Sequence, residues 1–302
     1  MAKTILLTGA TGFLGSHLAE ALVEEGHHVV ILKRSFSDIW RINHIIERIK
    51  SYDADVIPLE KIFQEQKIDV VIHTATNYGR KKERLTDIVE TNVLFGLQLL
   101  ESAIFSNTEL FINTDSLQQK CVSQYSLSKR QFYDWLRIYS QSDTIKIINM
   151  RLDHMYGPRD DSNKFVVWLM QQMVADVPEI KLTAGEQKRD FIFIDDVVRA
   201  FLFVMQVSQS LPKFSSFDVG TGEHICVKEF VLMMKSVIET IRGKRVTPNL
   251  QFGVIPYRKG EVMEVVEDVS TLFNLGWKPQ TELLDGLKIT VREFVGGDTS
   301  SK

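Results

Sequence analysis

The stretch Thr8-Gly9-Ala10-Thr11-Gly12-Phe13-Leu14-Gly15 lies between an apolar run at residues 4–7 and a segment in which leucine recurs every four residues. Glycines at this spacing permit a tight turn, close approach of a pyrophosphate to the main chain, and close packing of a helix on a strand. The N–H groups at the start of the helix attract phosphate oxygens. A turn that serves packing alone is the alternative, but its place directly after the first strand favours a dinucleotide site. The residues predicted to contact the cofactor here are Gly9, Thr11, Gly12, Phe13 and Leu14.

Beyond this turn, the first half of the chain alternates short β-branched runs with helical patterns. Strand-like runs cover residues 29–32, 70–73, 110–113 and 146–150, and helical patterns cover residues 39–49 and 86–106. This alternation is typical of a parallel sheet covered by helices on both faces. We therefore predict an α/β fold with a Rossmann-type, doubly wound parallel sheet.

The pattern changes after Arg151, where Pro158 and Asn163 mark a loop and the later elements become shorter. We predict an NAD(P)-binding Rossmann domain over residues 1–150. A smaller, mixed α/β lobe that binds the substrate is predicted over residues 151–296, partly interleaved with the first domain and returning a strand to its sheet. Residues 297–302 are predicted to form a flexible tail.

Composition excludes several classes of protein. The 302 residues are 44% hydrophobic and 25% charged, which excludes a disordered chain, a collagen and a disulfide-stapled miniprotein. A net charge of −3 gives no general attraction to nucleic acid or to an anionic membrane. Cys121 and Cys226 lie far apart, no signal-peptide pattern opens the chain, and no apolar run approaches membrane-spanning length. We expect a cytoplasmic protein, and because the histidines lack metal-ligand spacing we predict no metal.

The end of the second predicted strand bears on the choice between NAD and NADP. An acidic residue there accepts hydrogen bonds from the adenosine ribose, whereas cations favour a 2′-phosphate. The sequence at this point is Lys33-Arg34-Ser35, without a carboxylate. A solvated pair of charges is the alternative, but an ammonium beside a guanidinium favours the extra phosphate. We predict NADP(H), with NAD as the alternative.

Tyr125 and Lys129 are spaced to lie on one face of a helix, one turn apart. A phenol has a pKa of about 10, and a neighbouring ammonium lowers it by stabilising the phenolate. Tyr125 can then exchange a proton with a carbonyl oxygen while hydride is transferred at carbon. Thr114, just after a strand, offers a hydroxyl to the same oxygen. This spacing also arises by chance on amphipathic helices, but together with the glycine turn it favours a catalytic triad of Thr114, Tyr125 and Lys129.

These features resemble the extended short-chain dehydrogenases/reductases of the nucleotide-sugar epimerase/dehydratase group. The resemblance covers nearly the whole chain and is carried, in chain order, by the glycine turn, Val71-Ile72-His73-Thr74-Ala75, Asn92, Thr114, Tyr125 with Lys129, Arg151 with Tyr156-Gly157-Pro158, Arg189-Asp190-Phe191-Ile192-Phe193-Ile194-Asp195-Asp196, and Leu275-Gly276-Trp277-Lys278-Pro279. Within the group, residues 73–79, 113–116 and 150–154 look most like those of CDP-abequose and CDP-paratose synthases. Such enzymes are NADPH-dependent reductases of a CDP-linked 4-keto-dideoxysugar.

The resemblance implies roles for further residues, position by position. On the cofactor side it implies contacts from Asp53 near the adenine, from Thr74, Ala75, Thr76, Tyr125 and Lys129, and a bracing role for Asn92. On the substrate side it implies that Arg189 and Arg258 hold the diphosphate, and that Asn163 and Lys164 touch the nucleotide. For Arg189 the alternative is an ion pair with a carboxylate such as Asp195. Helices over residues 86–106 and 125–139 form a dimer contact in many relatives, so a homodimer is expected.

The sequence departs from the group's pattern at three points. The 4,6-dehydratases carry an Asp-Glu pair after the catalytic threonine, whereas this chain has Asp115-Ser116, which argues against dehydration. Asp115 is expected to contact the sugar or to cap the following turn. His154 stands where many members have asparagine, so it is expected to fit an altered sugar or to serve as a neutral hydrogen-bonding fixture. The third departure is the interval from Thr114 to Tyr125, which is short for this group.

We therefore predict NADPH-dependent reduction of the C4 ketone of a nucleotide-linked 4-keto-deoxysugar, for deoxysugar and O-antigen biosynthesis. A 4-epimerase that keeps NAD bound is an alternative with the same triad. A non-catalytic dinucleotide-binding protein is a further alternative, which the joint presence of Tyr125 and Lys129 disfavours.

Overall fold

The computed structural model describes residues 1–79, 82–120, 122–141 and 145–297. They divide into two compact units, one formed by Met1–Leu152 with Val198–Val219 and the other by Asp153–Val197 with the chain from Gly220 onward. The predicted tail at residues 298–302 and Cys121 lie outside the described residues. The assignment of the two parts of the chain to cofactor and nucleotide sugar stays a prediction.

The strands and helices are numbered in chain order. The strands are β1 Thr4–Thr8, β2 His28–Lys33, β3 Lys50–Asp53, β4 Val70–His73, β5 Leu110–Ser116, β6 Lys146–Leu152, β7 His154–Tyr156, β8 Glu179–Lys181, β9 Lys188–Arg189, β10 Phe191–Phe193, β11 Phe214–Val219, β12 Ile225–Cys226 and β13 Asn249–Gln251. The helices are α1 Phe13–Glu24, α2 Leu59–Glu65, α3 Leu85–Val89, α4 Phe95–Phe105, α5 Gln124–Tyr139, α6 Phe165–Val174, α7 Ile194–Val207, α8 Val227–Arg242, α9 Ser270–Asn274 and α10 Leu283–Gly297. A π-helical turn, Glu90–Leu94, joins α3 to α4.

The first unit is built on a seven-stranded sheet in the order β11-β6-β5-β4-β1-β2-β3, and every neighbouring pair is parallel. The predicted Rossmann-type α/β fold is confirmed, including the strand that the second half returns to this sheet, β11. Because β1 and β4 are neighbours but not consecutive strands, the sheet reverses direction of winding there. The carboxyl ends of parallel strands at such a reversal form a crevice that binds ligands.

One local prediction was wrong, and one strand was missed. Residues 39–49 form only a short 3₁₀ helix, Asn43–Arg48, in place of a longer helix. Ile42 and Ile45 are buried three residues apart, a spacing that a 3₁₀ turn aligns as well as an α-helix does. The strand β3 was not anticipated, because in its four residues only Tyr52 is buried and the alternation is too short to recognise at an edge of the sheet.

The helical segment Leu85–Phe105 is long and apolar enough, by length and composition, to cross a membrane. Our expectation that no apolar run approaches membrane-spanning length was therefore wrong. Asp87 and Glu90 interrupt the apolar residues in the sequence, but they do not break the helix. Leu99 and Leu100 are fully buried in the core beside β5, and a core helix passes the same criterion.

The second unit contains three small two-stranded sheets: β7 with β10 and β8 with β13, both parallel, and β9 with β12, antiparallel. The helix α8 packs against α6 and α10. Phe191 stacks on Phe230 with their ring centroids 3.9 Å apart. The buried Tyr156 donates its hydroxyl to the carbonyl of Leu283, 3.1 Å away, and so joins β7 to the start of α10.

Candidate active site

The glycine turn leaves no room for side chains. Gly9 has a φ of +73°, and a Cβ there would lie 2.6 Å from Thr74 Oγ1. A Cβ on Gly15 would lie 2.1 Å from the carbonyl oxygen of Gly9. Gly12 donates its N–H to that carbonyl at 2.9 Å and precedes α1 without any side-chain cap. The bare main chain and the uncapped helix start therefore fit the pyrophosphate of a dinucleotide, as the sequence predicts.

The end of β2 lies beside this turn and carries charges of both signs. Lys33 pairs in register with Asp53 at the end of β3. The Asp53 carboxylate accepts a 2.7 Å hydrogen bond from the Ser35 hydroxyl, which lowers the pKa of Asp53. The exposed guanidinium of Arg34 donates to Asp55 at 3.3 Å. The structure thus brings Lys33, Arg34 and Asp53 together at one corner, and their contacts with a cofactor stay predictions.

The segment after β4 is tied to β1 and to the π-helical turn. Thr74 Oγ1 donates to the Thr8 carbonyl at 2.7 Å, and the N–H of Ala75 donates to Thr8 Oγ1 at 3.3 Å. Thr76 Oγ1 donates to Asn92 Oδ1 at 3.2 Å. These bonds hold the three residues predicted to line the cofactor at the carboxyl edge of the sheet.

Asn92 connects that segment to the helix that bears Tyr125. It is 1% exposed; its Oδ1 accepts the N–H of Asn77 at 2.7 Å, and its Nδ2 donates to the Asn77 carbonyl at 2.8 Å. The same Nδ2 donates to Ser128 Oγ at 2.9 Å, and the Ser128 hydroxyl donates to the Tyr125 carbonyl at 2.8 Å. Since π-turns recur at functional sites, the placement of Asn92 on one agrees with the bracing role predicted for it.

The three residues of the predicted triad belong to β5 and α5. Ser123 caps α5 by accepting the N–H of Ser126 at 3.1 Å, so Tyr125 lies in the first turn and Lys129 in the second. Lys129 is 3% exposed, and its Nζ donates to the Thr114 carbonyl at 2.5 Å. The buried Thr114 Oγ1 has no hydrogen-bond partner among the described residues. The chain thus offers an unsatisfied hydroxyl beside an ammonium, which suits the binding of a polar ligand oxygen.

Burial and one carboxylate set the ionisation of Lys129. Burial lowers its pKa to about 8, and the charge of Asp115 opposes this shift. Burial also raises the pKa of Asp115, against the attraction of Lys129. Lys129 therefore carries its charge at neutral pH but is close to losing it.

Asp115 is 7% exposed and belongs to a polar chain that the sequence analysis missed. Its Oδ1 accepts the N–H of Ser116 at 2.7 Å, and its Oδ2 accepts Nδ2 of Asn149 at 3.0 Å. Asn149 Oδ1 in turn accepts Nδ2 of Asn113 at 2.7 Å, with both asparagines fully buried. Paired asparagines within otherwise apolar strands were the available signal. The hydrogen bond from the Ser116 N–H is the one expected if Asp115 caps the following turn. Contact of the Asp115 carboxylate with a sugar stays a prediction.

Two aromatic side chains near the predicted triad, Tyr78 and His73, lie in motifs that carry the resemblance, but the sequence analysis gave them no role. The ring of Tyr78 packs on that of Tyr125, with centroids 4.9 Å apart and planes inclined at 34°. His73 is fully buried, its Nδ1 lies 2.8 Å from Thr8 Oγ1, and burial, with the charge of Lys129, lowers its pKa to about 3. His73 is therefore neutral, and Lys129 is the ionised group of this pair.

For Arg189, in the second unit, the alternatives were contact with the diphosphate or an ion pair with a carboxylate such as Asp195. The structure shows an ion pair, and its partner is Glu261. Its Nη2 lies 2.6 Å from Glu261 Oε1, and its Nη1 donates to the Lys188 carbonyl at 2.6 Å. Glu261 donates its N–H to the carbonyl of the exposed Arg258 at 3.0 Å. Glu261 thus contacts both arginines expected at the diphosphate, Arg189 through its carboxylate and Arg258 through its main-chain N–H. The contact of the two arginines with substrate stays a prediction.

The remaining predicted substrate residues are spread along the second unit. His154 in β7 has its Nδ1 2.7 Å from Asp153 Oδ1, and its ring packs edge-on against Phe191. Asn163 is exposed in the loop before α6, and Lys164 is the N-cap residue of that helix. The structure gives these residues no common contact among those it describes, so their roles stay predictions.

Comparison with known proteins agrees with this geometry. The model of the NAD dependent epimerase/dehydratase family matches residues 5–220. A CDP-abequose synthase from Salmonella typhimurium is 33% identical over 293 residues, which cover 94% of this chain and 96% of that protein.

Solved structures of similar fold include two epimerases. A UDP-glucose 4-epimerase from Thermotoga maritima, solved with UDP-glucose, has a TM-score of 0.83 and 25% identity, covering 97% of this chain and 99% of that one. A UDP-glucuronic acid 4-epimerase from Bacillus cereus, in complex with UDP-glucuronic acid and NAD, has a TM-score of 0.80 and 26% identity, with the same coverage.

Proposed function

The chain belongs to the NAD dependent epimerase/dehydratase family, and on that basis we propose that it is an NADPH-dependent reductase of the C4 ketone of a nucleotide-linked 4-keto-deoxysugar. The observation that carries the proposal is the contact of Lys129 with Thr114 at the carboxyl edge of the sheet, one helical turn from Tyr125. The similarity to a CDP-abequose synthase favours a CDP-linked sugar.

Each member of the triad has a separate task. Tyr125 donates the proton that the ketone oxygen takes up as it becomes an alcohol. Thr114 Oγ1, buried without a partner among the described residues, donates a hydrogen bond to the same oxygen and orients it. Lys129 stabilises the phenolate that Tyr125 leaves behind, because its ammonium is held on the Thr114 carbonyl. When bound, a reduced nicotinamide supplies the hydride.

The surroundings of Asp115 support reduction over dehydration. Elimination of water needs a side chain that removes a proton from carbon, and Asp115-Ser116 lacks the glutamate that dehydratases place after the threonine. Asp115 itself is a poor replacement because both of its carboxylate oxygens accept hydrogen bonds inside the sheet.

The preference for NADP(H) is supported by Lys33 and Arg34 at the end of β2, where cations favour a 2′-phosphate. The diphosphate of the sugar nucleotide is assigned to Arg189 and Arg258, since forked guanidinium groups suit phosphate oxygens. A phosphate at Arg189 has to share the guanidinium with Glu261 or displace it.

The test is a screen of NADPH against NADH with several nucleotide-linked 4-keto sugars, followed by the absorbance of the reduced nicotinamide. We expect stoichiometric loss of NADPH with a CDP-linked 4-keto-deoxysugar, and slower loss with NADH. The Tyr125→Phe variant should lose turnover and still bind NADP⁺, because its aromatic ring is kept. Absence of NADPH loss with every sugar, or full activity of Tyr125→Phe, contradicts the proposal.

A second candidate is a 4-epimerase, which needs the same triad and is favoured by the epimerases among the similar solved structures. An epimerase returns the hydride to its product and therefore consumes no cofactor. Purified protein that retains NAD and interconverts two nucleotide sugars without loss of NADPH supports this candidate over the reductase.

We also propose a homodimer formed through the helices that flank the π-helical turn and through α5. Their outer faces expose Val89, Leu94, Leu127, Trp135 and Ile138. Apolar side chains grouped on neighbouring helices indicate a protein contact. Sedimentation should show a dimer that Trp135→Glu weakens, and a monomer at all concentrations contradicts this proposal.

A further inference from the structure

We propose that Arg41 binds the 2′-phosphate of NADP(H) and thereby contributes to discrimination against NAD(H). The inference rests on the proposed dependence on NADP(H). The sequence analysis assigned the choice between NAD and NADP to residues at the end of β2. Arg41 lies outside that strand end and is therefore an additional residue.

The first observation is the position of Arg41 against the glycine turn. Its Nη1 donates to the carbonyl of Thr11 at 3.2 Å. Thr11 is the residue before Gly12 in the predicted pyrophosphate turn. The guanidinium therefore lies next to the part of the main chain that a dinucleotide approaches.

The register of the sheet places the other two cations beside the same turn. Thr8, the last residue of β1, pairs with Leu32 in β2. The next residues are Gly9 on one strand and Lys33 on the other, so the turn and the Lys33-Arg34 pair leave the sheet side by side. The 2′-hydroxyl position of a dinucleotide is at the end of this second strand. Lys33, Arg34 and Arg41 thus border the same corner.

The two guanidinium groups differ in how firmly they are held. Arg41 is 8% exposed, and its guanidinium lies over the ring of Trp40, 4.5 Å from the centroid. The Arg34 side chain is 61% exposed and is paired with Asp55. A charge held in a buried position is screened less by solvent and loses less conformational entropy on binding than an exposed one. Arg41 is consequently the better placed of the two guanidinium groups to bind the phosphate.

The test measures dissociation constants of the full-length protein for NADP⁺ and NAD⁺ by calorimetry, with 2′,5′-ADP and 5′-AMP as minimal probes. We expect Arg41→Met to weaken NADP⁺ and 2′,5′-ADP by about 10- to 100-fold, the usual range for one lost hydrogen bond to a charged group. Binding of NAD⁺ and 5′-AMP should change less than about twofold, since neither carries a 2′-phosphate. Arg41→Lys, which keeps the charge but not the fork, should lie between wild type and Arg41→Met.

Arg48→Met is the matched control. Arg48 ends the 3₁₀ helix that follows Arg41 and also donates to a main-chain carbonyl, that of Val23 in α1, at 3.3 Å. It should leave both dissociation constants unchanged, which separates a local effect from a general loss of positive charge.

The outcomes separate this inference from the function on which it rests. A wild type that prefers NADP⁺, with the preference kept in Arg41→Met, overturns the role of Arg41 alone. Equal weakening of NADP⁺ and NAD⁺ also overturns it, because it indicates a purely structural role. A wild type without any preference overturns the proposed NADP(H) dependence and this inference together. If Arg41→Met does not fold, Arg41→Lys is measured in its place. A ratio of the dissociation constants for NADP⁺ and NAD⁺ equal to that of wild type overturns the role of the forked guanidinium group of Arg41.

Discussion

The buried ammonium of Lys129 should make the stability of the protein rise with pH between neutrality and about pH 10. The pKa of Lys129 is lowered from 10.5 to about 8 in the folded protein, mainly by burial. Between these values the unfolded chain binds more protons than the folded one, so the contribution of Lys129 to stability rises with pH. Lys129→Met removes the titrating group and is expected to remove this dependence.

The size of the effect follows from the two pKa values. At about pH 7 the buried charge costs about 3 kcal/mol of the free energy of unfolding, and at about pH 10 only about 1 kcal/mol remains. The attraction of Asp115 is already included, since it raises the pKa of Lys129. The Met side chain leaves the Thr114 carbonyl without its donor, which costs about 1–3 kcal/mol at every pH. The difference in free energy of unfolding between wild type and Lys129→Met is therefore small near neutrality. The change of this difference with pH is the quantity to measure.

The assay is urea unfolding of wild type and Lys129→Met at several pH values between neutrality and about pH 10. Wild type should gain about 2 kcal/mol relative to the variant over this range. The control is Lys146→Met, because Lys146 is only half-buried although its Nζ also donates to main-chain carbonyls, those of Ser208, Gln209 and Leu211. This control measures the cost of removing a lysine that donates to main-chain carbonyls where the side chain is not fully buried. A constant gap for Lys129→Met would refute the reasoning, since it means that burial does not lower the pKa of the ammonium.

Three further predictions follow from the same site. The alkaline limb of the pH–rate profile should fall above about pH 8 as Lys129 loses its proton, and a flat profile to about pH 9.5 contradicts this. Gly15→Ala forces a Cβ to within 2.1 Å of a main-chain carbonyl and should cost about 1–3 kcal/mol of stability and most cofactor affinity. Gly26→Ala is the control, because Gly26 has open space around it but a φ of +80°. It should cost about 1–2 kcal/mol of stability and leave cofactor affinity intact. Equal cofactor affinities in the two variants count against a close approach of the cofactor to the glycine turn. Asn92→Ala leaves buried polar groups unpaired on the segment after β4 and on α5, and should lower the melting temperature and reduce turnover at least tenfold (about 1–3 kcal/mol per orphaned group); unchanged turnover removes its bracing role.

Much of the fold could be predicted because its signals are local. The apolar runs that became β1, β4, β5 and β6 are short, β-branched and separated by helical patterns, and glycine spacing marks the first turn. The elements that failed lack such signals. β3 has one buried residue, and residues 39–49 have an isoleucine spacing that fits a 3₁₀ turn as well as an α-helix.

The residues of the predicted triad could likewise be proposed from their spacing, whereas their electrostatics could not. Two residues four apart on a helix face the same side whatever surrounds them. That Lys129 is buried on the Thr114 carbonyl, and that Asp115 points to Asn149 inside the sheet, depends on which strands lie next to β5. Strand order is a property of the folded sheet and leaves no local trace in the sequence.

The amino-acid sequence by itself determined the α/β class and located the glycine turn, and it supplied the prediction of a triad of three residues. Only the tertiary structure decided the ionisation of Lys129 and His73, the pairing of Arg189 with Glu261, and the approach of Arg41 to the turn. The physical reason is that backbone propensities and helical spacing act over a few residues. Desolvation and Coulomb interactions, in contrast, depend on side chains that are distant in sequence and become neighbours when the chain folds.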